Sequence, residues 1–183
     1  VRLAKEFYGC NPDIQFDVPE GVVAHFNAHL GRRGIDEHTA WEKLFSAYRA
    51  QYPDLAVQID QMQQRDLPAG WDGALPIFAA DEKGIATRDS SGQVLNAIAA
   101  RMPWLLGGSA DLSPSTKTNL KFEFAGSFQP PTHEHNASYR GRNFHFGLRE
   151  HAMCAIGNGM SLSKVRPYVS SFLIFTDYCR AAL

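Results

Sequence analysis

Hydrophobic and polar residues follow two different rhythms along this chain. In residues 37–51, Trp41, Leu44, Phe45 and Tyr48 recur at three- and four-residue spacing, which predicts a helix with one aromatic side. Residues 20–30 suggest a shorter helix and 54–64 another, while 9–21 form an irregular connector and 67–73 a turn-rich link. Beyond the link, strand and helix patterns alternate. Residues 90–102 predict a helix with Val94, Leu95, Ile98 and Ala99 inward, and 104–106 a strand leading into Gly107 and Gly108. Residues 121–142 predict a long loop, and 166–175, RPYVSSFLIF, a buried strand, from which Phe172, Phe175 and Tyr178 cross into a last helix. The change of rhythm places a domain boundary between Gln51 and Trp71 and divides the chain into residues 1–55 and 56–183.

The densest chemistry falls in residues 141–158, GRNFHFGLREHAMCAIGN. Phe144 and Phe146 suit a short strand, Gly147 permits a sharp turn, and Ala152, Met153, Ala155 and Ile156 continue as a helix with an apolar side. Arg149, Glu150 and His151 then stand at a strand-to-helix junction, and the C-terminal ends of strands are where open α/β sheets bind ligands. A carboxylate in a first helical turn meets unpaired amides and the positive end of the helix dipole. The residues alone fit two readings, a helix-terminal acid among surface charges or a working site.

Composition narrows the class. With 183 residues, an apolar fraction of 44%, 12 Phe and 3 Trp, the chain has material for a sizeable core, and disorder is not expected. A formal net charge of -1 provides no long-range attraction to nucleic acid or an anionic membrane, and no apolar run approaches spanning length. Cys10, Cys154 and Cys179 have no metal-site or disulfide-framework spacing, so a reducing compartment, the cytoplasm, is expected. The opening residues do not read as a secretory leader. The chain starts without methionine and stops inside a helical run, so it is expected to be a piece of a longer protein.

Polar candidates lie on either side of the 90–102 helix. The segment GGSADLSPSTKTN has the composition of a ligand loop after a strand, but lacks the lysine and glycine spacing of a nucleotide P-loop, so ATP or GTP is not implied. Asp111 and Ser115 offer a carboxylate and a hydroxyl, and Arg88 a fork suited to phosphate oxygens. Each taken singly also fits ordinary surface polarity. His133 and His135 alternate in a Pro-containing loop with no nearby cysteine to complete a metal site, and they read as solvated loop residues.

Taken in order, GGSADLSPS, GLREHAM and RPYVSSFLIFTDYCRAAL resemble the transketolase family, thiamine diphosphate enzymes that move two-carbon ketol units between sugar phosphates. ATRDSSGQVL is similar to the family's stretch before the glycine-rich loop, and residues 9–53 to the end of its first domain. The resemblance implies an incomplete three-layer α/β thiamine diphosphate-binding fold, with a mostly parallel sheet flanked by helices. Residues 1–55 would be the C-terminal end of the diphosphate-binding domain plus connector, and 56–183 the N-terminal part of the pyrimidine-binding domain. It also implies roles. Glu150 would hydrogen-bond the pyrimidine N1′ and favour the imino tautomer that takes the C2 proton. Phe172, Phe175 and Tyr178 would wall the pyrimidine, Asp111 would lie near the cofactor and substrate channel, and Arg88 and Ser115 would hold the sugar phosphate. His151 and Arg149 resemble structural neighbours without a proton-transfer role.

The chain departs from the family pattern at two places: Thr116 stands where asparagine is common, and Cys154, where glycine is common, needs extra room in the helix packing. It contains no GDG-type diphosphate and metal motif, so Mg2+ or Ca2+ would be bound through the diphosphate-binding part, outside this chain, and none of its own residues is assigned to metal. A second subunit would complete the site, which implies inactivity for the 183 residues alone. Two alternatives fit the same motifs: another thiamine diphosphate ketose synthase such as a dihydroxyacetone synthase, and a non-enzymatic binding or regulatory module derived from such an enzyme.

Overall fold

The computed structural model describes residues 1–132 and 137–183, which form two compact units, Val1–Ala56 and Val57–Leu183. His133 and His135 lie outside the described residues. The first unit contains α1 (Arg2–Phe7), α2 (Val22–Phe26), a π-helical turn (Asn27–Gly31) and α3 (Arg32–Gln51). The two helices read at 20–30 and 37–51 are one helical stretch, because nothing interrupts it: Asn27 and Gly31 both keep right-handed helical angles. On α3 the aromatic side forms a ladder, with Trp41 stacked on Phe45 at 5.2 Å and Phe45 on Tyr48 at 6.1 Å, while Trp41 and Leu44 remain exposed. The division between units runs through α4 (Pro53–Gln64), which opens on a proline, where a missing N–H costs nothing.

The second unit is an α/β sheet with helices packed on it. In chain order it has α5 (Thr87–Arg101), β1 (Leu105–Ser109), α6 (Ser113–Thr116), β2 (Ser127–Phe128), β3 (Ala137–Ser138), β4 (Asn143–His145), α7 (Glu150–Leu162), β5 (Arg166–Ser170) and a 3-10 helix (Leu173–Ala182). The strand order is β3-β2-β4-β1-β5, and every pairing is parallel. Parallel sheets need cover on both faces, and side-chain alternation shows how it is provided here. Leu105 and Tyr168 pack with Ala99, Met102, Trp104, Leu120 and Ala125, a core that belongs to α5. Phe144 and Phe146, on the opposite parity, pack with Met153, Cys154 and Cys179, a core that belongs to α7 and the 3-10 helix.

Along the sheet and its loops, three further sequence expectations change. The strand read at 104–106 extends through the glycines to Ser109, because the missing side chain at Gly107 lets strands close: a Cβ there would sit 1.8 Å from the Tyr168 carbonyl oxygen. The 121–142 loop carries the two-residue strands β2 and β3 and is tied to the sheet by Asn143, whose side-chain amide donates to the Leu120 and Gly126 carbonyls at 3.0 Å. Residues 166–175 are not one buried strand. β5 stops at Ser170, Arg166 is exposed, and Val169, although beside Gly157 of α7, is still 38% exposed.

Candidate functional site

Three strands end level with one another. Ser109 of β1 is the register partner of both His145 in β4 and Ser170 in β5, so the segments leaving all three start from one edge of the sheet. The chain reaches β4 on one side of β1 and β5 on the other, which makes this edge a topological switch point, where parallel sheets open a crevice.

Glu150 is the first residue of α7 and only 8% exposed. The chain leaves β4 through the buried Phe146 and turns at Gly147, with φ 70°. Arg149 folds back over that turn and donates to the Phe146 carbonyl at 3.3 Å, while His151 points to solvent. The buried stripe of α7 is Glu150, Met153, Cys154 and Gly157, a true helical repeat. Ala152, Ala155 and Ile156, read in the sequence as part of the apolar side, are exposed. Among the described residues, the one hydrogen bond on the Glu150 carboxylate comes from Ser171, whose hydroxyl donates to Oε1 at 3.3 Å. The other oxygen, Oε2, remains available as an acceptor.

The Phe172, Phe175 and Tyr178 trio follows from an unusual element. A 3-10 helix has three residues per turn, so side chains three apart eclipse. Over Leu173–Ala182 this stacks Phe172 on Phe175 at 6.3 Å and Phe175 on Tyr178 at 6.2 Å, with interplanar angles of 29° and 23°. Tyr178 is 68% exposed, and Phe172 is also accessible. Core packing therefore does not account for the ladder. The inward residue of this helix is Cys179.

A cleft of about 690 Å³ opens where the start of α5, α6 and the segment after β5 meet. Arg88 and Ser115 both line it, together with Ser171 and Phe172. Thr87, Ser91, Thr116, Thr118 and Ser170 add further hydroxyl-bearing residues, so its wall combines one guanidinium with many neutral hydrogen-bonding groups. Such a wall suits a polyhydroxylated anion. Asp111 does not join it: the residue is exposed on the loop after β1, with φ 60°. Ser171 connects the cleft with the Glu150 carboxylate, and sequence reasoning did not single it out. Its signal was the serine pair interrupting the apolar run RPYVSSFLIF.

Beneath Glu150, α7 meets the 3-10 helix through two buried thiols. Cys154 is 5% exposed and Cys179 2%, and the Cys179 thiol also donates to the Thr176 carbonyl at 3.3 Å. The extra volume of Cys154 is thus absorbed by a partner on the neighbouring helix. Burial, then a hydrogen bond with Cys179 and the nearby Cys179 and Glu150 charges, pushes the Cys154 thiol up to about 11. It is a packing group rather than a nucleophile.

Two family models match the chain in order: Transketolase, thiamine diphosphate binding domain, over residues 1–68, and Transketolase, pyrimidine binding domain, over residues 83–183. Transketolase 1 of Saccharomyces cerevisiae is 38% identical and the transketolase of Geobacillus stearothermophilus 42% identical, each over 100% of this chain. The chain spans about a quarter of their length, 27% and 26%. A crystal structure of transketolase from Pichia stipitis in complex with sedoheptulose-7-phosphate is similar with a TM-score of 0.83 and 36% identity, over 99% of this chain and 26% of that one. With both models matched and relatives aligned along its whole length, the chain belongs to the transketolase family.

Proposed function

We propose that this chain serves the thiamine diphosphate-dependent, reversible transfer of a two-carbon ketol unit from a ketose phosphate to an aldose phosphate, and that it supplies the pyrimidine side of the site. The observation that carries the reading is the meeting, at Ser171, of a buried carboxylate having a free oxygen with a cleft of hydroxyls and one arginine. When bound, the cofactor supplies the nucleophilic carbon that accepts the ketol unit. The residues present fit its pyrimidine half: Glu150 offers an unpaired acceptor oxygen on a largely buried side chain, and Phe172, Phe175 and Tyr178 offer ring faces accessible for stacking.

In this reading Glu150 is the catalytic residue, holding a proton at the pyrimidine nitrogen. Its largely buried side chain places that bond in a less polar setting than water, which strengthens it. Arg88 presents a planar fork to the sugar phosphate and Ser115 adds a directed hydrogen bond, so the far end of the substrate is held while its carbonyl reaches the cofactor. Asp111, exposed at the end of β1, orients donor hydroxyls or the cofactor from outside the cleft. The diphosphate and its Mg2+ or Ca2+ would be held by other residues and a second subunit would complete the site, so the 183 residues alone are inactive. We place the reaction in the cytoplasm, on the cysteine spacing.

The test is Glu150→Gln in the whole enzyme carrying these residues. Proton exchange at C2 of bound thiamine diphosphate, followed by NMR, should fall by at least tenfold. Unchanged exchange would remove Glu150 from the chemistry. Ketol transfer by the pure 183-residue chain would overturn its proposed dependence on other segments.

A further inference from the structure

We propose that Ser171 is the positioning residue for Glu150, tying down one carboxylate oxygen so that the other is presented to the cofactor. This rests on the reading of Glu150 given above and names how its geometry is set. A glutamate side chain at the mouth of a crevice has three rotatable bonds and a carboxylate with two equivalent oxygens, so burial alone does not choose which oxygen faces a ligand. Here the choice is made from a different strand. Ser171 follows Ser170, the last residue of β5, whose carbonyl accepts from the Ala110 N–H at 3.2 Å. The serine backbone is therefore anchored to the end of β1, and its hydroxyl reaches Oε1 from a rigid base.

The carboxylate backbone is anchored independently. Glu150 opens α7, and the next turn is closed by the Met153 N–H to Arg149 carbonyl bond at 2.8 Å. Two fixed elements thus hold one oxygen between them, and no other donor among the described residues competes for Oε2. The same serine lines the cleft that contains Arg88 and Ser115, so the orientation of the carboxylate is set at the boundary with the sugar-phosphate wall. A methyl group in place of the hydroxyl frees the carboxylate to rotate. A threonine keeps the hydroxyl.

The experiment is a double-mutant cycle in the whole enzyme, with Ser171→Ala, Ser171→Thr, Glu150→Gln and Glu150→Gln/Ser171→Ala. Thiamine diphosphate affinity is measured by calorimetry on the cofactor-free protein, and C2 proton exchange at saturating cofactor by NMR. Ser171→Ala should weaken affinity and slow exchange, each by roughly tenfold, the scale of one hydrogen bond to a charged group. Ser171→Thr should stay within about twofold of the parent, and the double variant should be no worse than Glu150→Gln, because the serine acts only through the carboxylate. If Glu150→Gln abolishes exchange while Ser171→Ala matches the parent, the serine inference fails and the glutamate reading stands. Equal losses from Ser171→Ala in both backgrounds would make the serine a packing residue, and a threonine variant as impaired as alanine would also overturn the proposal. Unchanged exchange in Glu150→Gln would instead overturn the glutamate reading.

Discussion

Gly92 on α5 lies against the backbone of Lys117: a Cβ at Gly92 would sit 2.6 Å from the Lys117 carbonyl oxygen and 2.7 Å from its Cβ. This contact brings the helix that carries Arg88 against the loop that follows Ser115. Asn96 reinforces it, donating to the Gly92 carbonyl at 2.9 Å and the Asn119 carbonyl at 3.0 Å and accepting from the Lys121 N–H at 2.7 Å. Both walls of the cleft depend on a glycine with no chemistry of its own.

Replacing Gly92 by alanine sets two effects against each other. Helix propensity favours alanine by about 1 kcal/mol. The clash is with backbone, which has no side-chain rotation to relieve it, and such overpacking costs roughly 1–3 kcal/mol. Gly92→Ala should therefore lower the stability of the chain in denaturant unfolding. A midpoint raised by the full helix-propensity gain would show that the two walls are not in contact.

Arg88 is argued to recognise phosphate rather than the cofactor, so its removal should separate substrates. In the whole enzyme, Arg88→Ala should raise KM for phosphorylated sugars by about 10- to 100-fold, the scale of a lost charge-assisted contact. A nonphosphorylated donor should be affected by less than about threefold. Equal losses on both donors would argue against a phosphate contact.

The parts legible in sequence were those that local pattern determines. Turn, helix start and ionisable group are all written within GLREHAM, so the junction at Glu150 could be placed without knowing its neighbours. The buried face of α7 was not, because Ala152, Met153, Ala155 and Ile156 and the pair Met153 and Cys154 are both acceptable apolar stripes, and only packing against the 3-10 helix selects the second. The trio Phe172, Phe175 and Tyr178 was visible as spacing, but its stacking needs three residues per turn, a geometry that composition does not announce. Strands β2 and β3, two residues each, are too short to show a period. Ser171 needed the fold, since its partner is 21 residues away on another element.

Arg142 tests the cover on the α5 side of the sheet. Its guanidinium, partly buried, donates to the carbonyls of Ala99 and Met102 at 2.8 Å and of Leu105 at 3.2 Å, and lies 5.0 Å from the Phe122 ring centroid. Desolvation pulls its pKa below the ordinary value, with Tyr168 acting the other way, yet arginine stays a cation across the working range. Arg142→Met should cost about 2–4 kcal/mol by removing the charge-assisted bonds to these three carbonyls, of which Ala99 and Met102 keep only a backbone donor, from the Met102 and Leu105 N–H groups. Arg142→Lys should recover less than half, because a single ammonium cannot spread over three acceptors. Full stability in either variant, by urea unfolding, would show that backbone donors and water satisfy those carbonyls without the guanidinium.

Cys154 gives the chain a pH dependence of predictable sign. Its thiol rises from about 9.0 to about 11 on folding, so the native state holds the proton more tightly than the unfolded chain. The resulting stability is fully present below the unfolded value, declines as pH rises past 9, and is gone above 11, a total on the order of 2 kcal/mol. Tyr168, also raised by burial, adds a loss that begins as pH passes about 10 and that the parent and a Cys154→Ala variant share. The difference between the two proteins reports the Cys154 thiol together with its hydrogen-bonded partner Cys179. At pH 7.5, under reducing conditions, the parent should be the more stable by the packing lost at a site only 5% exposed. Between pH 9 and 11 that advantage should shrink and can reverse, whereas a stability difference that stays constant with pH would show that the Cys154 thiol ionises alike in the folded and unfolded states.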